Sequence, residues 1–460
     1  MKKKVRVGIV GGGISGLTVA YRLERALPYA DIILLEASGR LGGKIMTEQD
    51  GELIIERGPE SVLAKKVSVM ELIQELGLSS EIIERIPEHN QTFIQSGGLL
   101  HPLPSGMSGL VPSNMDSLKE STLISSEGID RYLREPDQPQ KLDDDDESIA
   151  SFATRRFGKE VYEKIVGPLL SGIYGGSGEE LSILSTFPQL RHLEKTQGSI
   201  LASIAPSVST SPYASFVSLR GGMEVLIRAL VDALTKTKII LHAPVTSISR
   251  NEAYHIKIAD GRTFEVDILV MTTPATVNSI ALAPLDGTLA KLHQGIPYSS
   301  STIVTLVWEK DALEHPLDGY GYIVPRGEQE VIHAVTWTSH KWPNRSPENR
   351  FLLRAFLGGG SDPLIDQTDD HILEKVRTEL SRVLGIIAEP LAYRIDRYAD
   401  AMPQYLVDHG ERVTAIEART RIHPDLFLTG MTYRGVGIPD CISQANTVAL
   451  AVEQSLSVPR

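Results

Sequence analysis

The hydrophobic positions at the start of the chain predict a strand, a tight turn and a helix. Residues 5–10 form a short apolar run, glycines follow at 11–13, and apolar residues recur with helical spacing over 17–27. Residues 31–36 predict a second buried strand. This opening is typical of an α/β domain.

The same kind of pattern continues along the chain. Asp50-Gly51 lies between extended segments and predicts a hairpin. Asp260-Gly261 predicts a turn between the second and third of three strands within 239–270. A capping box at 68–71 predicts the start of a helix, and a longer helix is predicted over 148–170.

Composition narrows the classes of function. The chain has 460 residues, of which 42% are hydrophobic, so it can bury a large core in several structural units. Its net charge of -12 argues against nucleic acid as a partner, since phosphate binding requires a basic surface. The single cysteine, Cys441, excludes an internal disulfide and fits a reducing compartment.

The hydropathy of the chain bears on its location. No stretch approaches the roughly 20 apolar residues of a spanning helix, and the apolar run at 5–10 is too short for a signal peptide. We expect a cytoplasmic protein without a transmembrane segment, while contact with a membrane surface and the oligomeric state stay open.

The acidic run 143–147 is interpreted as a solvated loop, with cation binding as the alternative.

A glycine motif occupies the first turn. Gly11-Gly12-Gly13-Ile14-Ser15-Gly16 follows a strand and opens a helix. The first glycine permits the tight turn, the second lets the backbone approach a pyrophosphate, and the third allows close packing of helix on strand. Glu36, at the end of the second strand, can accept hydrogen bonds from ribose hydroxyls. The pattern predicts a dinucleotide site, and a purely structural glycine turn is the alternative.

The residues from Glu36 onward distinguish FAD from NAD. Glu36-Ala37-Ser38-Gly39-Arg40-Leu41-Gly42-Gly43 resembles the E-x-x-x-R-x-G-G continuation of the amine-oxidase-like FAD enzymes. Its bend carries Arg40, whose permanent charge can contact the pyrophosphate from the other side. An ordinary surface arginine is the alternative. Glu36 also argues against NADP, because a carboxylate would repel the additional phosphate.

A second glycine-rich turn lies near the C-terminus. Gly435-Val436-Gly437-Ile438-Pro439-Asp440 precedes an apolar helix that extends to about Leu456, and Pro439 suits a first helical turn. Free N–H groups of Val436, Gly437 and Ile438 would point out of the helix start. They would stabilise the negative charge of reduced flavin at N1/O2. We predict a flavin cradle here, with a plain glycine turn as the alternative.

Several segments resemble the protoporphyrinogen/coproporphyrinogen oxidase family, in the family's order and over nearly the whole chain. The most specific are Gly167-Pro168-Leu169-Leu170-Ser171-Gly172-Ile173-Tyr174-Gly175-Gly176 and the turn at 435–440. The match most resembles the soluble bacterial branch that oxidises coproporphyrinogen III in Gram-positive haem synthesis. The other segments are Arg57-Gly58-Pro59-Glu60-Ser61, residues 152–160, Leu219-Arg220-Gly221-Gly222-Met223 and Pro403-Gln404-Tyr405.

The resemblance implies positions for several residues around the flavin. Gly58, Pro59, Glu60 and Ser61 should lie against it. Gly43 should adjoin the pyrophosphate, and Lys44 should approach the flavin edge. Val245, at the start of a strand, should lend backbone contacts to the adenine. Tyr398 stands where relatives often carry tryptophan, which leaves its contact with the flavin open.

The implied reaction requires no catalytic side chain. A porphyrinogen gives up hydride from its methylene bridges to flavin N5, aromatisation of the macrocycle provides the driving force, and O2 is reduced to H2O2. We therefore expect neither a catalytic residue nor a metal, in accord with the absence of H-E-x-x-H and G-x-S-x-G motifs. Cations should bind the propionates, and apolar residues should face the macrocycle. The candidates are Lys65, Lys66 and Arg220, with Ile173 and Tyr174 as an apolar wall; surface charges and core packing are the respective alternatives.

Three other functions compete with this one. Flavin amine oxidases usually carry a lysine near flavin N5 on a strand of the substrate domain, and residues 299–304 contain none. Carotenoid-desaturase-like enzymes typically lack the pattern at 167–176. A non-catalytic flavin-binding protein is the alternative of a different class, and the intact glycine turns argue against it.

These patterns predict an α/β fold with α+β insertions. A Rossmann-like FAD-binding domain is built from discontinuous segments, beside a mixed-sheet substrate domain and a helical inserted domain. The FAD-binding segments are 1–80, 206–285 (with a β-meander) and 396–460; the substrate segments are 81–115 and 286–395; the helical insertion is 116–205.

Overall fold

The computed structural model describes residues 4–203, 215–313, 318–329, 331–358 and 364–457. The boundary predicted between the helical insertion (116–205) and the second FAD-binding segment (206–285) lies outside these ranges. The strands are β1 (Arg6–Val10), β2 (Asp31–Leu35), β3 (Thr47–Asp50), β4 (Leu53–Glu56), β5 (Val62–Leu63), β6 (Ile82–Glu84), β7 (Thr92–Ser96), β8 (Leu99–Pro102), β9 (Met107–Ser108), β10 (Val111–Pro112), β11 (Phe216–Leu219), β12 (Lys238–Ile240), β13 (Val245–Arg250), β14 (Tyr254–Ile258), β15 (Thr263–Val266), β16 (Ile268–Met271), β17 (Tyr298–Glu309), β18 (Gly321–Ile323), β19 (Ile332–Trp337), β20 (Arg350–Gly358), β21 (Ala392–Pro403) and β22 (Leu426–Leu428). The helices are α1 (Ile14–Ala26), α2 (Val67–Glu75), α3 (Met115–Lys119), α4 (Ser126–Leu133), α5 (Ile149–Phe157), α6 (Lys159–Val161), α7 (Gly167–Tyr174), α8 (Ile183–Thr186), α9 (Pro188–Gln197), α10 (Glu224–Ala233), α11 (Ala275–Ala281), α12 (Gly287–Gln294), α13 (Thr338–Lys341), α14 (Asp369–Leu384), α15 (His409–Thr420) and α16 (Ile438–Ser457).

A parallel sheet of five strands unites distant parts of the chain. Its order is β12-β2-β1-β16-β22, and every neighbouring pair is parallel. The helices α1 and α16 cover one face, where Val7, Leu17 and Ile442 are fully buried in one core. The predicted Rossmann-like domain of discontinuous segments is confirmed. Because parallel strands end at the same edge, the turns that follow β1, β2 and β22 gather there.

A mixed sheet of seven strands forms a second layer. Its order is β21-β17-β20-β19-β18-β7-β8, in which only β18 and β7 pair in parallel. Helix α14 packs on this sheet, where Ile372 and Val376 contact the core around Leu306. The predicted boundary between the substrate segment 286–395 and the FAD-binding segment 396–460 falls inside strand β21. This strand pairs with β17 on both sides of the boundary.

The helices α3 to α9 form a separate core around Tyr132, Phe152 and Leu170. The prediction of one helix over 148–170 is wrong. Helix α5 ends at Phe157 because Gly158 has a φ of 96°, which no helix accommodates. A π-helical turn over Tyr162–Val166 then leads into α7.

The two predicted hairpin turns are confirmed, whereas the predicted helix cap is not. The hairpins β3–β4 and β14–β15 are present, with positive φ at Gly51 and Gly261 as these turns require. The capping box at 68–71 is wrong, because Lys66 and not Ser68 is the N-cap of α2, and the Ser68 hydroxyl donates to the Pro439 carbonyl oxygen at 2.7 Å. No helix within the described ranges is long and apolar enough to span a membrane.

The acidic run at 143–147 is not merely a solvated loop. Glu147 is 8% exposed, and its carboxylate accepts from Arg155 of α5 at 2.6 Å. Asp143 accepts through its backbone carbonyl from Arg191 of α9 at 3.0 Å. The run therefore holds Arg155 and the buried Arg191 of the helical core in place, which sequence spacing alone does not reveal.

Candidate functional site

The first part of the site is the turn between β1 and α1. Gly11 has a φ of +107°, which favours glycine. A Cβ on Gly16 would lie 1.9 Å from the Gly11 carbonyl oxygen, so only glycine lets the helix approach the turn this closely. The amides of Gly13 and Ser15 have no hydrogen-bond acceptor among the described residues. Free amides at the start of a helix attract anions, phosphates above all.

The bend after β2 lies directly against this turn. The Gly42 amide donates to the Gly12 carbonyl oxygen at 2.8 Å. A Cβ on Gly43 would lie 3.3 Å from the Cα of Gly13. Arg40 donates from its guanidinium to two carbonyl oxygens of the bend, at 2.7 and 2.6 Å. Arg40 therefore stiffens the bend, and its contact with a pyrophosphate stays a prediction.

Glu36 connects the glycine turn with the edge of the parallel sheet. Its carboxylate accepts from the Gly12 amide at 2.7 Å and from the Ser38 amide at 2.8 Å. Its carbonyl oxygen accepts from the Ala243 amide at 2.8 Å, two residues before Val245. The carboxylate, the exposed Ala37 and Val245 thus share one edge. Contacts of these residues with a ribose and an adenine stay predictions.

The second part of the site comes from the C-terminal end of the chain. After β22 the chain turns at Gly430 and Gly435, whose φ angles are +120° and +98°. The amides of Val436, Gly437 and Ile438 have no acceptor within the described part of the chain. Three free donors at the start of a twenty-residue helix create a region that favours negative charge.

The two ends of the chain meet around Ser15. The Ser15 side chain lies beside the thiol of Cys441 in α16, and a Cβ on Gly430 would lie 3.7 Å from the Ser15 Oγ. Lys44 extends from the glycine bend toward the C-terminal turn, with Nζ 3.6 Å from the Sδ of Met431. The first turn, the bend and the C-terminal turn therefore enclose a single site.

Lys44 places an unusual charge in this enclosure. Burial lowers the pKa of Lys44, since the charged form loses solvation. Among the described residues no carboxylate lies within ion-pair distance of its Nζ. Burial also raises the pKa of Cys441 to about 11, so the neighbouring thiol stays neutral. A half-buried cation without a protein carboxylate suits the anionic part of a bound cofactor.

Residues 58–61 lie alongside Lys44. A Cβ on Gly58 would lie 2.0 Å from the Lys44 carbonyl oxygen, so a side chain is excluded there. The Tyr398 hydroxyl donates to the Arg57 carbonyl oxygen at 2.8 Å, and burial raises the pKa of Tyr398. Tyr398 therefore supports the segment from behind. Flavin contacts of Tyr398 and of the half-buried Pro59 and Ser61 stay predictions.

The side chain of Glu60 is committed to the protein. Its carboxylate binds the ammonium of Lys341 and accepts from Arg354 at 3.2 Å. Burial alone would raise the pKa of Glu60, but these two cations outweigh it and lower the pKa to about 2. Any contact of Glu60 with a cofactor is therefore left to its backbone.

The glycine-rich segment at 167–176 reaches the site through Gln404. The Gln404 amide donates to the Tyr174 carbonyl oxygen and to the Ser299 hydroxyl, each at 2.9 Å. Of the two residues predicted to form an apolar wall, Tyr174 is buried and Ile173 is 47% exposed. The Tyr174 ring packs in the helical core, whereas Ile173 leaves an apolar side chain free at the surface of α7.

The candidate cations differ in their surroundings. Lys65 and Arg220 are exposed, and the Arg220 carbonyl oxygen accepts from Arg345 at 3.1 Å. The Lys66 ammonium lies 2.9 Å from Asp440 in the first turn of α16. A propionate would have to compete with Asp440 for Lys66. Binding of a substrate by any of the three stays a prediction.

Tyr405 belongs to the site, although no sequence pattern predicted a role for it there. Its hydroxyl donates to the Met431 carbonyl oxygen at 2.6 Å and accepts from the Gly435 amide at 2.9 Å. Its place in the Pro403-Gln404-Tyr405 motif was the available signal, but the motif does not show which turn the ring contacts.

The residues of the site fit a flavin dinucleotide. Two helix starts present free amides, glycines allow a ligand to approach the backbone, and Lys44 offers an unpaired charge. Among the described residues, no group of three or more His, Cys, Asp or Glu side chains could hold a metal ion. The fold and these turns define the class of dinucleotide-binding proteins.

Comparison with known proteins specifies the class. The flavin-containing amine oxidoreductase family matches residues 14–452. Coproporphyrinogen III oxidase of Bacillus subtilis is 32% identical, covering 96% of this chain and 96% of that protein. Protoporphyrinogen oxidase of Homo sapiens is 29% identical, covering 97% and 98%. A crystal structure from Exiguobacterium sp. 255-15, provisionally named a protoporphyrinogen oxidase, has a TM-score of 0.88 and 33% identity, covering 98% and 99%.

The chain therefore belongs to the flavin-containing amine oxidoreductases and, within them, to the family of protoporphyrinogen and coproporphyrinogen III oxidases. A flavin family with a dinucleotide-binding turn implies FAD as the cofactor. The free amides at the starts of α1 and α16 are the groups of this chain that would hold its phosphates and its ring.

Proposed function

We propose that this chain oxidises a porphyrinogen to the porphyrin in haem biosynthesis, with FAD as electron acceptor and O2 as final oxidant. The substrate is coproporphyrinogen III, protoporphyrinogen IX or both. The observation that carries the proposal is the junction at Gln404 and Tyr405, where the segments 167–176 and 431–435 meet. Names of the relatives that match along the whole chain support the same substrate class.

The protein's part in this reaction is binding and electrostatics. When bound, FAD supplies a two-electron acceptor that O2 can oxidise again, with H2O2 as product. The amides of Val436, Gly437 and Ile438 and the ammonium of Lys44 favour the more negative, reduced state. Aromatisation of the substrate provides the driving force, so no side chain is assigned a catalytic proton transfer.

The substrate would lie beside α7. Ile173 offers an exposed apolar side chain next to Tyr174, whose carbonyl oxygen is held by Gln404. An apolar face suits a tetrapyrrole, whose propionates would extend toward cations such as Lys65. We expect Ile173→Asp to raise the KM for the porphyrinogen about tenfold and to leave FAD content unchanged, as steady-state kinetics and the flavin spectrum would show.

An amine as substrate is the competing proposal within the fold. Strand β17 spans the region where amine oxidases usually carry a lysine, and its residues 299–304 contain none. The segment at 167–176 and its junction with Gln404 also have no role in an account based on amine oxidation.

We further propose that the protein is located in the cytoplasm, with or without contact to a membrane surface.

Porphyrin fluorescence tests the proposal directly. Purified protein is incubated in air with coproporphyrinogen III, protoporphyrinogen IX or a primary amine, and H2O2 is measured in parallel. We expect porphyrin and stoichiometric H2O2 from at least one porphyrinogen, at rates well above those with free FAD. If neither porphyrinogen reacts faster than the enzyme-free control, the proposal is wrong. A yellow protein without any turnover would support the non-catalytic binding role.

A further inference from the structure

The hydroxyl of Tyr405 connects two points of the C-terminal turn. Tyr405 is fully buried, donates to the Met431 carbonyl oxygen at 2.6 Å and accepts from the Gly435 amide at 2.9 Å. Burial raises the pKa of Tyr405, so the hydroxyl keeps the proton that it donates. One hydroxyl therefore closes residues 431–435 into a fixed loop.

His409 holds the same turn from the other side of the Tyr405 ring. The two rings are stacked, with centroids 4.1 Å apart and planes 15° apart. The His409 Nε2 lies 3.0 Å from the Tyr433 carbonyl oxygen. Burial lowers the pKa of His409 to about 4, so the ring is neutral near neutral pH and Nε2 carries the donated proton. The pair thus fixes the turn at Met431, Tyr433 and Gly435.

This turn determines the direction of the free amides at the start of α16. Gly435 has a φ of +98° and directly precedes Val436, Gly437 and Ile438. A hydrogen bond weakens steeply as the donor angle falls away from linear. A rotation of the turn would therefore reduce the stabilisation of a negative charge, even if the cofactor stayed bound.

We propose that Tyr405 is a positioning residue that raises the reduction potential of the flavin by holding these three amides in line with the charge of its reduced form. Tyr405 acts through the turn and needs no contact with the flavin itself. The inference rests on the proposed placement of the flavin ring at the start of α16. It does not depend on which molecule the enzyme oxidises.

The variant Tyr405→Phe isolates the two hydrogen bonds. It keeps the ring on His409 and removes the hydroxyl. We expect FAD to remain bound, and the equilibrium constant for two-electron reduction to fall about tenfold, since hydrogen bonds to a charged group are the strong ones. A tenfold change corresponds to about 30 mV for a two-electron couple. The potential is measured by equilibration with a redox dye, without porphyrinogen.

The matched control is Tyr132→Phe. Tyr132 is also fully buried, and its hydroxyl donates to the Pro112 carbonyl oxygen inside the helical core. This control loses a similar bond, made to Pro112 and not to the C-terminal turn, so its potential should equal that of the wild type. A wild-type potential in Tyr405→Phe would overturn the inference, as would an equal decrease in both variants.

A second variant covers the case in which Tyr405→Phe does not retain FAD. His409→Phe keeps an aromatic ring against Tyr405 and removes the bond to the Tyr433 carbonyl oxygen. A lowered potential in this variant supports the inference, and an unchanged potential refutes it. Because no substrate is present, a wild type that fails to oxidise porphyrinogens would refute the proposed function and leave this result standing.

Discussion

The glycines of the first motif serve two purposes that the structure separates. A Cβ on Gly16 would collide with the Gly11 carbonyl oxygen at 1.9 Å, so Gly16 is required by the fold. A Cβ on Gly13 would meet nothing nearer than the Gly43 Cα at 3.9 Å, and its φ of -77° suits any residue. The protein therefore leaves the space beside Gly13 open, and we predict that the cofactor occupies it.

The substitution Gly13→Val should yield a folded protein that does not bind FAD, because the branched side chain would stand between backbone and pyrophosphate. Thermal unfolding should resemble that of the FAD-free wild type, while titration with FAD should show affinity at least about 100-fold weaker, a loss of roughly 2.7 kcal/mol. Gly16→Ala is the contrasting control and should itself be destabilised. A yellow, active Gly13→Val variant would contradict this placement of the cofactor.

At the same scale, His409 predicts a dependence of stability on pH. Burial lowers its pKa from 6.5 to about 4, while nearby Arg412 and Arg434 oppose protonation and Asp146 favours it. Below pH 6.5 the unfolded chain therefore binds a proton on His409 that the folded protein does not bind until the pH approaches 4. The contribution of His409 to the free energy of unfolding is fully present above pH 6.5. It is lost as the pH falls toward 4, by about 3 kcal/mol in total.

Urea unfolding at several pH values checks this prediction. The free energy of unfolding of the wild type should fall between pH 7 and pH 5. His409→Phe should lose less stability over that interval, so the difference between the two proteins should shrink. Parallel curves for the two proteins would show that His409 does not titrate as described.

At the scale of elements, sequence pattern predicted those parts whose conformation is decided locally. The strand, turn and helix at the start follow from periodicity and glycine placement, as do the hairpin turns at Gly51 and Gly261. The capping box failed because the Ser68 hydroxyl binds Pro439, which is distant in sequence. The helix over 148–170 failed because a single glycine, Gly158, adopts a positive φ beside Arg131.

The helical insertion depends on buried ion pairs that no local pattern reveals. Arg156 of α5 and Glu135 are both fully buried and form an ion pair, and the Arg156 guanidinium also donates to the Gly198 carbonyl oxygen at 2.9 Å. These bonds connect α5 with the segments before α5 and after α9. Removal of one partner would leave an uncompensated charge in a core.

We expect Arg156→Met to lower the free energy of unfolding by about 3–5 kcal/mol. Lys159→Met is the matched control, since Lys159 and Glu163 form an ion pair between mostly exposed side chains and should contribute little. Urea denaturation of both variants, with the wild type, measures the difference. Equal stability of Arg156→Met and Lys159→Met would show that the buried pair is not a structural requirement.

For the whole molecule, the sequence predicted that distant segments of the chain come together at one site, but not how they contact one another. The motifs at 11–16 and 36–43 predict the part of the site that binds the dinucleotide, and the motif at 435–440 predicts the part that binds the flavin ring. The contacts between Ser15 and Cys441, and between Lys44 and Met431, depend on tertiary packing of α16 on α1. The commitment of Glu60 to Lys341 and Arg354 is likewise invisible before folding.

The central claim is that both ends of the chain hold one FAD, which accepts electrons from a porphyrinogen. Anaerobic mixing of the FAD-loaded protein with coproporphyrinogen III, followed by flavin absorbance and porphyrin fluorescence, tests it most directly. We predict bleaching of the flavin without O2, because one FAD can accept only the first of the three hydrides that the porphyrinogen must lose; when O2 is admitted, the yellow colour should return and porphyrin should form. A colourless protein that ignores added FAD, or a flavin that stays oxidised with both porphyrinogens, would contradict the account.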